Sequence, residues 1–90
     1  MYARTTKLTN PAGLHARPAA LFVNETKNYK SSITIRRAEP DANPLNAKSI
    51  VLILSMALKE NTEVEIAADG EDEIQAVDNI IALIESGFEE

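Results

Sequence analysis

No cysteine occurs anywhere in this 90-residue chain. Disulfides and thiolate metal sites are therefore excluded. Histidine occurs once, and the acids are scattered, so no metal-ligand constellation or cofactor site is expected. Long apolar runs and a cleavable leader are missing too, and the first residues, Met1-Tyr2-Ala3-Arg4-Thr5, are polar. A soluble cytoplasmic protein with no membrane insertion is the expectation. Basic residues are outnumbered nine to fourteen, for a net charge of −5, which argues against nucleic acid as a partner. Internal repeats and low-complexity segments are absent. Ninety residues make one small domain, 1–90, with a single core and modest stability.

What is present is unevenly spread. Residues 1–49 carry eight basic and three acidic side chains, net +5, whereas residues 50–90 carry one basic and eleven acidic, net −10. The basic half holds the histidine, so an acidic protein partner would be steered toward it.

Seven elements are expected. Tyr2 to Thr9 reads as a strand, with Tyr2, Thr6 and Leu8 on one face and Arg4 awkwardly among them. Ala16 to about Asn28 reads as a helix with an inward stripe of Ala19, Phe22, Val23 and Thr26. Ser32 to Arg37 alternates as a strand does. An irregular connection with two prolines, Pro40 and Pro44, leads to a short strand near Leu45–Ala47. Ser49 to about Leu58 is almost continuously apolar; Ser49 as N-cap and Lys59 at the carboxyl end favour a helix. Such a helix must expose apolar groups, which suggests a docking surface. Glu63 to Ala68 is a strand. The final helix opens on Glu71, Asp72 and Glu73 and carries Ile74, Val77, Ile80, Ile81, Ile84 and Phe88 as one stripe, with Gly87 near its end. The order βαββαβα predicts an α+β fold, a two-layer open-faced sandwich with a four-stranded antiparallel sheet covered on one face by three helices.

The chemistry points to Asn10-Pro11-Ala12-Gly13-Leu14-His15-Ala16-Arg17-Pro18-Ala19-Ala20. Asn10, Pro11 and Gly13 favour a turn, and proline is tolerated in a first helical turn. His15 is thus expected at or near a helix N-cap, where amides and the helix dipole favour an anion, with Arg17 adding fixed positive charge. These groups would stabilise a phosphoryl group on the ring. No neighbouring carboxylate is placed to orient a hydrolytic histidine, so a carrier without turnover of its own is expected rather than an enzyme. The plainer role for a lone histidine is a surface or capping residue.

Gly13-Leu14-His15-Ala16-Arg17-Pro18-Ala19 resembles the active-site motif of HPr, the histidine-containing phosphocarrier of the bacterial phosphoenolpyruvate-dependent phosphotransferase system. The resemblance extends over nearly the whole chain and implies the same sandwich. It further implies transfer of phosphoryl from phosphorylated Enzyme I to Nδ1 of His15, then to the IIA component of a sugar permease. Arg17 would stabilise equatorial charge, while Ala16 and Pro18 shape the phosphate cradle. By position, Ala16, Arg17, Ala20, Lys27, Lys48, Ile50, Val51 and Leu54 match the family's partner surface, on a protein expected to be a monomer.

Ser49, within Asn46-Ala47-Lys48-Ser49-Ile50, resembles the serine phosphorylated by a dedicated HPr kinase. A dianion there would oppose docking on the apolar helix. Val51-Leu52 and Met56-Ala57 depart from the Met-Gly and Leu-Gly of the regulated forms, and the Arg37–Leu45 connection is longer than the family's usual turn. The ending Ala82-Leu83-Ile84-Glu85-Ser86-Gly87-Phe88-Glu89-Glu90 resembles paralogues of a nitrogen-related regulatory branch. A carrier in that branch, or a non-catalytic regulatory binding module in which His15 is merely structural, are the alternatives to sugar uptake.

Overall fold

The computed structural model describes residues 1–89. Its elements are β1 (Tyr2–Lys7), α1 (Ala16–Thr26), β2 (Ser32–Arg37), β3 (Leu45–Asn46), α2 (Ile50–Ser55), β4 (Glu63–Asp69) and α3 (Glu73–Glu85), followed by a 3-10 turn over Gly87–Glu89. The four strands form one antiparallel sheet in the order β1-β4-β2-β3. The expected open-faced α+β sandwich is the observed one.

Alternation decides which sheet face is covered. Val64, Ile66 and Ala68 of β4 and Ile33 and Ile35 of β2 are buried beneath the helices. The register sets Ile35 beside Ile66 and Ile33 beside Ala68, so the apolar rows of the two central strands coincide. α3 lies over β1 and β4 and touches α1, which in turn packs on α2. Ala19, Phe22, Val23 and Thr26 are buried, as the helical stripe predicts. Transferring such side chains out of water contributes roughly 1.5–3 kcal/mol each for the larger ones.

Arg4, the odd residue in the first strand, has a structural reason. The register pairs it with Ile66, so it faces the helical layer, but β1 is an edge strand. Its Nη1 reaches Asp78 Oδ1 on α3 at 3.0 Å, and Tyr2 Oη donates to the same carboxylate at 2.9 Å. Thr6 Oγ1 donates to Glu85 Oε2 at 3.2 Å. Polar residues at alternate positions thus tie the edge strand to α3.

Four element ends differ from expectation. The first helix stops at Thr26 with Lys27 as a right-handed cap, two residues short of Asn28. Thr26 turns its hydroxyl back onto Val23 O at 2.6 Å, local competition that suits a helix end. α2 ends at Ser55, so Lys59 lies beyond it; Ala57, at φ +50°, turns the chain away. Ile74 is 60% exposed rather than part of the α3 stripe, whereas Ala76 is buried. Phe88 is fully buried but not by helical spacing: Gly87 and Phe88 both adopt positive φ and fold the aromatic ring back into the core. Of the tail quoted above, Glu90 lies outside the described residues.

Asp72 is more than one of three solvated acids. Its carboxylate accepts from Lys30 N at 2.9 Å, from Ser31 N at 3.0 Å and from Ser31 Oγ. The Ser31 hydroxyl first, then the Lys30 amide, hold its carboxyl below the usual carboxylate range. The start of α3 is thereby anchored to the loop between α1 and β2.

Candidate functional site

The loop between β1 and α1 is built by short-range and long-range bonds together. Gly13 N donates to Asn10 O at 3.0 Å, and the Asn10 side-chain amide donates back to Gly13 O. This closes a tight turn around a buried asparagine. Gly13 sits at φ +65°, where a Cβ would approach Leu58 O to 2.2 Å and Lys59 Cα to 2.7 Å. Leu14 is buried, and its N–H donates to Leu58 O at 3.0 Å. On the other side Asn61 N donates to Leu8 O at 2.8 Å and Leu8 N to Thr62 O at 3.0 Å. The segment after α2 is thus stitched along the loop that carries the histidine.

His15 is the N-cap of α1, with extended backbone (φ −83°, ψ −169°), and it is exposed. Its side chain does not cap the helix. The reason lies two and three residues on: an N-cap side chain ordinarily accepts from the second or third amide, and the third residue is Pro18, which has no N–H. The helical ladder opens with Ala19 N donating to His15 O at 2.9 Å. The amides of Ala16 and Arg17 precede that ladder, at the positive end of the dipole. Ala16 and Arg17 are exposed, whereas Pro18 is buried and locks the first turn. An exposed imidazole beside a rigid helix start and an arginine can accept an anionic group without the backbone moving.

The residues expected to receive partners fall on α1 and α2, which pack together. Ile50, Val51 and Leu54 are 37%, 72% and 44% exposed, while Ile53 of the same helix is fully buried. The apolar run is therefore divided: one side is core, and the other faces outward. Ser49 is the N-cap, its Oγ accepting from Leu52 N at 3.3 Å. Ala20 is half-buried and Lys27 exposed. Lys48 is less mobile than a rim lysine need be, because its Nζ donates to Tyr29 O at 2.8 Å. Sequence reading recognised Asn10 and Gly13 as turn formers but missed their partner, Leu58. Nothing in the local pattern links residues this far apart.

No helix among the described residues is long and apolar enough to cross a membrane.

Residues 2–86 match the family described as the PTS HPr component phosphorylation site. The chain is 43% identical to phosphocarrier protein HPr of Haemophilus influenzae over 84 residues, covering 93% of this chain and 95% of that one. It is 36% identical to phosphocarrier protein NPr of Proteus mirabilis, over 97% of this chain and 94% of the other. It also matches a multiphosphoryl transfer protein of Haemophilus influenzae, of whose length it spans 17% at 39% identity and 92% of its own. Among solved structures, HPr from Thermoanaerobacter tengcongensis superposes with a TM-score of 0.91 at 41% identity, covering 100% of this chain and 98% of that one. With a matching fold, a near-complete family match and carriers of similar length on every side, this chain belongs to the HPr phosphocarrier family of the phosphotransferase system.

Proposed function

We propose that His15 is the phosphoryl acceptor and donor of this carrier, loaded by Enzyme I and discharged to a IIA component in phosphoenolpyruvate-dependent sugar uptake. The observation that carries the reading is the exposed imidazole at the N-cap of α1, in a first turn that Pro18 keeps rigid. In each transfer a ring nitrogen attacks phosphorus, the P–N bond forms and the bond to the donor's leaving group breaks; unloading reverses these roles. Arg17 and the preceding amides offset charge on the equatorial oxygens. The carrier supplies position, not acid–base turnover, and acts only between two protein partners.

Incubation with Enzyme I and phosphoenolpyruvate should place an acid-labile, alkali-stable phosphate on the wild-type chain and none on His15→Ala. A stable phosphate on His15→Ala would overturn the assignment. Arg17→Glu should keep the fold and slow transfer about 10²- to 10³-fold, the scale of losing one oxyanion donor.

A carrier of the nitrogen-related branch is the second reading, favoured by the Ala82–Glu90 ending. Parallel assays with an Enzyme I of each branch separate the two. Phosphorylation of Ser49 would set a dianion beside Ile50, Val51 and Leu54; mass spectrometry after incubation with an HPr kinase and ATP tests it, and an unmodified Ser49 leaves this residue with its capping role alone.

A further inference from the structure

The connection between β2 and β3 stands at the carboxyl end of α2 and encloses a recess with it. The recess, roughly 400 Å³, is lined by Arg37, Glu39, Ala42, Leu45, Ser55 and Met56. Its apolar surface comes from Ala42, Leu45 and Met56, and its polar groups from Arg37, Glu39 and Ser55. Three sets of bonds hold its walls apart. Arg37 donates through Nη2 to Met56 O, fastening the strand end to the helix end. Arg36 Nη1 donates to Glu39 O at 2.8 Å, while its Nε holds Glu65 Oε1 at 2.9 Å, fastening the connection to the sheet. Ala42 N donates to Glu39 O at 3.1 Å, closing a turn within the connection. The opening is therefore pre-formed and does not depend on a partner to order it.

Its location connects it to His15. Met56 lies two residues before Leu58, whose carbonyl accepts from Leu14 N, next to His15. Backbone dimensions along that path put Met56 Cα at most about 18 Å from His15 Cα. A standard interface covers about 800 Å² per partner, a disc about 32 Å across. A protein seated over His15 is wide enough to reach the recess, and the exposed Leu54, immediately before Ser55, makes the surface between them apolar.

We propose that the β2–β3 connection is a third wall of the docking surface, and that its recess takes one aliphatic or aromatic side chain of Enzyme I. The inference rests on the reading of His15 as the site loaded by that partner. The recess gives discrimination between donors that the helices alone cannot supply, because a pre-formed pocket for one side chain is where interface energy concentrates. A donor lacking that side chain would load His15 with the same chemistry but a weaker encounter.

Ala42→Trp fills the recess and keeps the backbone bond to Glu39. In steady-state loading by Enzyme I and phosphoenolpyruvate it should raise the KM for the carrier at least tenfold with kcat unchanged. An unchanged KM in a folded variant overturns the recess. Absence of phosphate on the wild-type chain instead overturns the His15 reading, so the two failures are distinct. An independent measurement needs no variant: in ¹⁵N-labelled wild-type protein titrated with Enzyme I, the amides of Ala42, Asn43, Ser55 and Met56 should shift together with those of Ala16 and Arg17. Shifts confined to α1 and α2, with residues 39–43 unmoved, count against the proposal.

Discussion

Gly13 shows how much one backbone position can hold in place. Its positive φ suits glycine, but the space is the stronger constraint: an added methyl would lie 2.2 Å from the Leu58 carbonyl oxygen. Gly13→Ala should therefore destabilise the fold by about 2–3 kcal/mol, combining left-handed strain with displacement of the 57–61 segment. Equilibrium urea denaturation measures this, and slower loading of His15 should accompany it. Ala57 is the converse case. It holds φ +50° with a side chain, is exposed, and follows the end of α2. Replacing it with glycine relieves left-handed strain, so Ala57→Gly should gain about 0.5–1 kcal/mol once the larger unfolded-state entropy of glycine is subtracted. A fall in urea midpoint would refute that sign. The local role of Pro18 was legible from sequence, because proline in a first turn has one physical meaning. The identity of the atom facing Gly13 was not, because it belongs to a segment more than forty residues away.

α2 is the element for which composition alone was least decisive. A run of Ile50, Val51, Leu52, Ile53 and Leu54 suits a buried strand as well as a helix. The cap at Ser49 tips the balance locally, and Ser49→Ala should cost about 1 kcal/mol, read from thermal or urea unfolding. α3 was easier, since its stripe repeats over three turns, yet its amino end was misread. Ile74 has helical spacing but precedes the point where the helix meets its neighbours, so it stays in solvent.

The acids at that end and mid-helix do structural work with a pH signature. Asp72 and Asp78 are both held below their ordinary range, Asp72 by the Ser31 hydroxyl and Lys30 amide, Asp78 by the Tyr2 hydroxyl and Arg4. A depressed folded-state value means the unfolded chain binds protons first. The stability these groups contribute is present above the unfolded value near 3.8 and is lost as pH falls through the lower folded values. Asp72→Ala should lower Tm near neutral pH, and the gap from wild type should narrow as pH is taken below about 3. A gap that widens in acid would contradict the assignment.

At the scale of the whole molecule, the charge imbalance between the two halves of the chain is partly cancelled by the sheet. β4, from the acidic half, is inserted between β1 and β2 of the basic half. Arg36 thereby meets Glu65 at 2.9 Å, and Arg4 and Lys30 meet Asp78 and Glu71 at 3.0 and 3.7 Å on or beside α3. These pairs are exposed or half-exposed, so each contributes little to stability. Their consequence is for the field: three cations of the basic half face acids, while Arg17 and Lys27 stand on α1 beside or beyond the histidine. Steering of an acidic partner should act on that helix. The association rate with Enzyme I, followed by stopped-flow fluorescence, should fall as salt rises from about 50 to 500 mM while kcat for loading changes little. A salt-independent rate would leave surface charge with no part in the encounter.

Sequence by itself determined the element order, the amphipathic faces of β2, β4, α1 and most of α3, and a histidine at a helix start, because each depends on period, cap or turn chemistry within a few residues. The tertiary structure alone decided which side of α2 is core, why Arg4 is tolerated in β1, what presses against Gly13 and where the β2–β3 connection stands relative to His15. Those outcomes rest on contacts between distant segments, and no local pattern encodes which distant carbonyl or carboxylate the folded chain will bring within bonding range.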